Sequence, residues 1–128
     1  MSNKQGWIGV DLDGTLAEYD VWRGIQHIGQ PIEPMRQRVL KWLEEGRHVR
    51  IFTARAYMCP IDQSDMASMT QRDSAREAIM YIKRWCKKHL GQILEVTCQK
   101  DYGMIELWDD RAVQVIPNTG RRADGEEE

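Results

Sequence analysis

Three short apolar runs in this chain each break off into a carboxylate or a hydroxyl, and that repetition limits the folds open to it. Trp7–Val10 stops at Asp11, the run 49–52 stops at Thr53, and the run 105–108 stops at Asp109. A segment with helical spacing, 35–45, separates the first two, with Met35, Val39, Trp42 and Leu43 on one stripe and Gly46 as its stop. A longer one, 71–90, follows the second, with Ala75, Ala78, Ile79, Ile82 and Trp85 on its apolar side and Gly91 at its end. Residues 94–98 and 113–116 read as further strands. Strands alternating with helices predict an α/β domain with a Rossmann-like three-layer sandwich, a central parallel sheet of about five strands and helices on both faces. Residues 1–120 read as a single domain, and the charged stretch 121–128 reads as a disordered tail.

In a parallel sheet all carboxyl ends lie along one edge, and ligands bind in the crevice beyond it. Asp11, Thr53 and Asp109 are therefore expected to face one another across that crevice. The first of them opens the sequence Asp11-Leu12-Asp13-Gly14-Thr15-Leu16. Two carboxylates one residue apart at a strand end, followed by a turn at glycine and a hydroxyl, are equipped to hold a hard cation and to attack or protonate a phosphate ester. Asp110 doubles the acid at the end of the later run.

Bulk properties narrow the setting. The chain has 128 residues, 41% of them hydrophobic and 30% charged, as in an ordinary globular protein, and this length supports one sizeable core. A formal net charge of −2 supplies no global basic field for nucleic acid. Cys59, Cys86 and Cys98 have neither disulfide-like nor zinc-like spacing, and Cys86 and His89 sit in a helical pattern without a second ligand pair. Reduced thiols, no membrane-length apolar stretch and no signal-peptide core predict a soluble, cytoplasmic protein with no membrane partner.

The residues above, with Lys100 ahead of the run ending at Asp109, resemble the four motifs of the haloacid dehalogenase superfamily, most of whose members are magnesium-dependent phosphatases. The resemblance extends from Trp7 to about Ile116 and implies a phosphomonoesterase with Mg2+ as cofactor. Asp11 would be the nucleophile that forms an aspartyl-phosphate. Asp13 would protonate the leaving alkoxide and then activate water. Thr53 and Lys100 would complete the catalytic set, with Lys100 preferred over Lys83, Lys87 and Lys88 on their solvated helix. The metal would be held by Asp11, by the backbone carbonyl of Asp13 and by Asp109, with Asp110 acting through water or orienting Lys100. The Gly14 and Thr15 amides would bind transferring oxygens. Thr53-Ala54-Arg55 is similar to a stretch in nucleotide and polynucleotide phosphatases, which adds Ala54 and Arg55 to the substrate-binding positions. Three carboxylates and a phosphate dianion need a divalent cation plus Lys100, with Arg55 or Arg111 and backbone dipoles making up the rest. A halide leaves without a proton, so an acid at Asp13 argues against the dehalogenase branch.

Larger superfamily members insert a cap, for which this chain has no room. The segment 17–34 is long enough for a flap that offers Trp22, Arg23 and His27. The segment 56–70 reads as a loop with Tyr57, Met58, Asp62, Asp65, Met66 and Met69. An open site suits a nucleic-acid end, and a phosphorylated small molecule also fits if the flap or a neighbouring subunit closes over it. A receiver-like phosphoacceptor would use similar residues, but with its acidic pair on the first strand and its phosphoacceptor on the third. A non-catalytic metal- or phosphate-binding module is the remaining alternative. An Asp-x-Asp glycosyltransferase normally needs a longer chain.

Overall fold

The structure, a computed structural model, describes residues 5–60 and 65–126. Strands β1 (Trp7–Val10), β2 (His48–Phe52), β3 (Glu95–Thr97) and β4 (Met104–Trp108) form a four-stranded parallel sheet in the order β3-β2-β1-β4. β1 pairs with β2 on one side and β4 on the other, and all four of its residues are buried, so its sequence shows no polar alternation. β2 does alternate, sending Val49 and Ile51 inward while His48 is exposed and Arg50 half-buried.

Helix α1 (Glu33–Glu44) joins β1 to β2, and helix α2 (Met66–Leu90) joins β2 to β3. Both connections step the chain in the same direction across the sheet, and right-handed crossovers then place both helices on one face. The core agrees: Met35 and Val39 of α1 share a buried cluster with Ile82, Trp85 and Cys86 of α2 and with Ile8, Val10, Val49 and Ile51 of the sheet. The expected three-layer sandwich is thus corrected among the described residues to one helical layer on one sheet. The physical reason is the return from β3 to β4, where a helix on the second face would belong. Only residues 98–103 make that return, crossing the face where Asp101 accepts a 2.8 Å hydrogen bond from the Trp7 indole and the Arg50 guanidinium lies 4.5 Å over the Trp7 ring.

The expected fifth strand, 113–116, does not join the sheet. Four residues separate it from β4, far fewer than the dozen or so that a parallel crossover ordinarily takes. Instead Val115 bridges Arg122 in antiparallel fashion, the Ala123 amide donates to the Gln114 carbonyl, and the Ile116 amide donates to the Arg121 carbonyl. This closes a turn in which Asn118 and Gly120 take positive φ. The tail expected to be disordered from 121 is therefore part of this hairpin as far as it is described. α2 begins five residues ahead of expectation. Asp65 caps it by accepting from the Ala67 amide at 2.9 Å, so residues 66–70 of the expected 56–70 loop are helix, and Asp62 lies outside the described residues. Gly91 at φ 82° ends α2 as expected. No described helix is long and apolar enough to cross a membrane.

The flap is a narrow hairpin. Ala17 bridges Pro31, the Glu18 amide donates to Gln30, and the Ile32 amide donates to Leu16. Its strands approach so closely that a Cβ on Gly29 would run into the Glu18 carbonyl. From α2, the buried Trp85 indole donates to the Gly29 carbonyl at 3.0 Å. Trp85→Phe should therefore cost about 1–2 kcal/mol by chemical denaturation and speed amide exchange across 16–32. Unchanged exchange there would show that the helix does not anchor the flap.

Candidate active site

Beyond the carboxyl edge of the sheet lies a crevice of about 530 Å³, lined by Asp11 and Asp13 after β1, Thr53, Ala54 and Arg55 after β2, Cys98 after β3, and Asp109, Asp110 and Arg111 after β4. Tyr19 and Trp22 reach it from the flap, and Phe52 completes the wall. Cys98 and Tyr19 were not among the site residues expected from the sequence. Cys98 obeys the strand-end rule applied to β3, while Tyr19 arrives through the hairpin register of the flap, which has no short-range signal.

Asp11, Asp109 and Asp110 converge, each with a carboxylate oxygen within 4.8 Å of the others. The arrangement follows from adjacency, since β1 and β4 are neighbours and Val10 pairs with Trp108, the last residue before each acid. The Asp11 carboxyl is pushed up from an ordinary 3.8 to about 7, first by burial, then by its hydrogen bond with Asp110 and the charges of Asp109 and Asp110. The Thr15 hydroxyl, donating to Asp11 at 3.3 Å, works weakly in the opposite direction. Asp109 is oriented by accepting from the Arg111 amide at 2.7 Å. Gly14 is required beside this cluster: its φ is 89°, and a Cβ there would lie 2.5 Å from the Asp110 carboxylate.

Asp13 does not join the cluster through its side chain. Its two oxygens accept from Nε and Nη2 of Arg55, both at 2.8 Å, in a bidentate pair whose side chains are 21% and 6% exposed. Arg55 also donates to the backbone carbonyls of His27 at 3.0 Å and Ile25 at 3.5 Å, and its guanidinium lies 4.8 Å from the Trp22 ring centroid. The expected substrate-binding arginine is thus engaged by Asp13 and the flap. Thr53 is buried and accepts from the Arg55 amide at 3.2 Å, so its own O–H remains the donor it can offer to the crevice.

Three other expectations change. The Gly14 amide donates to Ala17 and the Thr15 amide to Leu12, so both are used inside the turn that follows β1, and neither residue lines the crevice. Lys100 is exposed, absent from the crevice wall, and next to Asp101, which bonds Trp7 at the opposite end of β1. Arg23 pairs with Asp20 at 2.7 Å on the outside of the flap. Cys86 is buried in the core, where desolvation pushes its thiol up to about 11, and no metal-ligand group forms around it among the described residues.

No family model and no curated protein matches the chain. A conserved protein of Bacteroides thetaiotaomicron with a solved structure is similar in fold, at a TM-score of 0.51 and 18% identity over 90% of this chain and 84% of that one. At that identity the likeness concerns the fold alone.

The raised Asp11 carboxyl has a consequence for stability without metal. A folded pKa above the unfolded value favours folding below about 4, and that contribution is lost as pH rises through about 7. Asp110→Asn removes one of the opposing charges, so the metal-free variant should exceed the wild type by roughly 1 kcal/mol at pH 8, after allowance for solvent screening. The gap should close by pH 4. Melting curves at both pH values test this, and a gap independent of pH would contradict it.

Proposed function

We propose that this chain is a divalent-cation-dependent phosphomonoesterase of the haloacid dehalogenase type, working in the cytoplasm through an aspartyl-phosphate on Asp11. The observation that carries the reading is the convergence of Asp11, Asp109 and Asp110 at the carboxyl ends of two adjacent parallel strands, with Thr53 from a third strand lining the same crevice. Three carboxylates held so close, with the Asp11 carboxyl pushed up first by burial and then by its two acidic neighbours, form a donor set that fits a hard cation with oxygen ligands. Asp11, Asp109 and Asp110 would hold Mg2+, which when bound supplies charge neutralisation to the phosphate.

The remaining work falls to side chains of this chain. An Asp11 oxygen attacks phosphorus as the ester P–O bond breaks and its electrons leave with the alkoxide. Water then attacks the phosphorus of the acyl phosphate, releasing inorganic phosphate and restoring the Asp11 carboxylate. The Thr53 hydroxyl is placed to donate to a phosphoryl oxygen. Asp13, paired with Arg55, is set up as the carboxylate that takes a proton from the attacking water. The same pair occupies both Asp13 oxygens and so stands in the way of work as an acid in the first step, which requires the Arg55 contact to loosen. Substrates whose leaving groups need no proton are favoured accordingly. That opposition also gives weight to a second reading, a phosphoacceptor whose aspartyl-phosphate persists because Asp13 is held by Arg55.

Phosphate release should require Mg2+, stop with a chelator and be inhibited by Ca2+, whose larger and looser shell misplaces the nucleophile. Asp11→Asn should lower kcat at least about 10⁴-fold. Asp13→Asn should cost alkyl phosphates more than aryl phosphates, because only the former need the proton. Full turnover in chelated buffer would refute the metal role, and equal losses on both ester types would refute the acid role. A stoichiometric burst with a stable phosphoprotein would favour the phosphoacceptor.

A further inference from the structure

We propose that the outward face of Trp22 is a stacking platform for the base of a nucleoside monophosphate, an inference that relies on the phosphatase reading for where the phosphate sits. Trp22 lines the crevice with 52% of its surface exposed, and Tyr19 beside it is 44% exposed. The other four tryptophans are buried or half-buried, in the sheet and its helical layer. A large aromatic left half in water at the mouth of a crevice is poor packing and good recognition surface.

The placement of this ring is fixed from behind. The Arg55 guanidinium covers one face of the indole and is itself held by both oxygens of Asp13 and by two flap carbonyls. Hairpin bonds at 16–18 and 30–32 and the Trp85 bond to Gly29 hold the base of the flap. The ring is therefore preorganised, and a planar ligand stacking on it loses little freedom beyond its own. A cation on one face of the indole also leaves the opposite face suited to another π system.

The charge along the crevice selects the length of the ligand. Its described lining carries four carboxylates, Asp11, Asp13, Asp109 and Asp110, against two guanidiniums, Arg55 and Arg111, and the first of these is already paired with Asp13. A nucleic-acid strand would bring further phosphates, each of which needs a cation that this wall does not provide. One phosphate at the acidic, metal-holding end and one flat base at the aromatic end match what is present. A cavity near 530 Å³ has room for such a ligand and exceeds what a glycerol phosphate would fill.

The test uses the full chain with Mg2+ and compares AMP and UMP with glycerol 3-phosphate and with an oligonucleotide carrying a terminal phosphate. Trp22→Ala should raise KM for both nucleotides by about 10- to 100-fold with kcat little changed. Glycerol 3-phosphate should be unaffected, and Trp22→Phe should recover most of the loss. In parallel, AMP should quench the tryptophan fluorescence of Asp11→Asn, which binds without turnover, and the quenching should vanish when Trp22→Phe is added. Nucleotide-specific quenching in a protein that hydrolyses no monoester would support the platform while removing the phosphatase reading. Turnover of all monoesters with Trp22→Ala equal to wild type would overturn the platform and leave that reading standing. Preference for the oligonucleotide, unaltered by Trp22→Ala, would overturn it as well.

Discussion

The architecture around the crevice depends on one buried guanidinium. Arg55 leaves β2 in a short 3-10 turn, is 6% exposed, and reaches back to the loop after β1 and across to the flap. A buried arginine without partners would carry a large desolvation penalty, so its donors must be satisfied. The Asp13 carboxylate, the His27 and Ile25 carbonyls and the Trp22 ring do this together. Removing Arg55 would leave Asp13 as an uncompensated charge and would untie the flap from the sheet edge. One contact thus engages a carboxylate and ties the flap and an aromatic wall to the sheet edge.

The second acidic group works in the opposite sense. Asp11, Asp109 and Asp110 converge, and the Asp11 carboxyl is pushed up first by burial and then by its acidic neighbours. Such repulsion lowers the stability of the metal-free fold, and sites with a chemical task commonly retain it. A single residue, Leu12, separates the two acids in the sequence. Asp11 faces β4 and its acids, whereas Asp13, past the bend, faces β2 and its arginine. The acidic pair at the end of β1 is thereby divided into a carboxylate that meets the acids after β4 and one clamped by Arg55.

Legibility in the sequence varied with the range of the interaction that decides each feature. β1, β2 and β4 end where their apolar runs end, because burial along a parallel strand is written residue by residue. The start of α2 was hidden, since its first turn leaves Met66 and Met69 exposed and buries the polar Ser68, so no apolar stripe marks it. The stretch 113–116 has a strand's composition, yet connection length forbids a place in the sheet, and chain geometry outranks propensity there. Lys100 was chosen by order along the chain, but the 98–103 return places its neighbour Asp101 against Trp7 at the far end of β1. The Gly14 and Thr15 amides, expected to face phosphate, donate instead to the Ala17 and Leu12 carbonyls inside the turn.

The sequence by itself determined the parallel α/β character, the strand ends at Asp11, Thr53 and Asp109, and the gathering of those ends along one edge, because period, burial and strand direction are local properties. Only the tertiary structure decided which carboxylates meet. It separated Asp13 from Asp11 by giving it Arg55, brought Trp22 over that arginine, placed both helices on one face and moved Lys100 out of the crevice. These outcomes depend on strand order, connection length and the hairpin register of the flap. Each is set by contacts between residues tens of positions apart, which the composition of a segment does not encode.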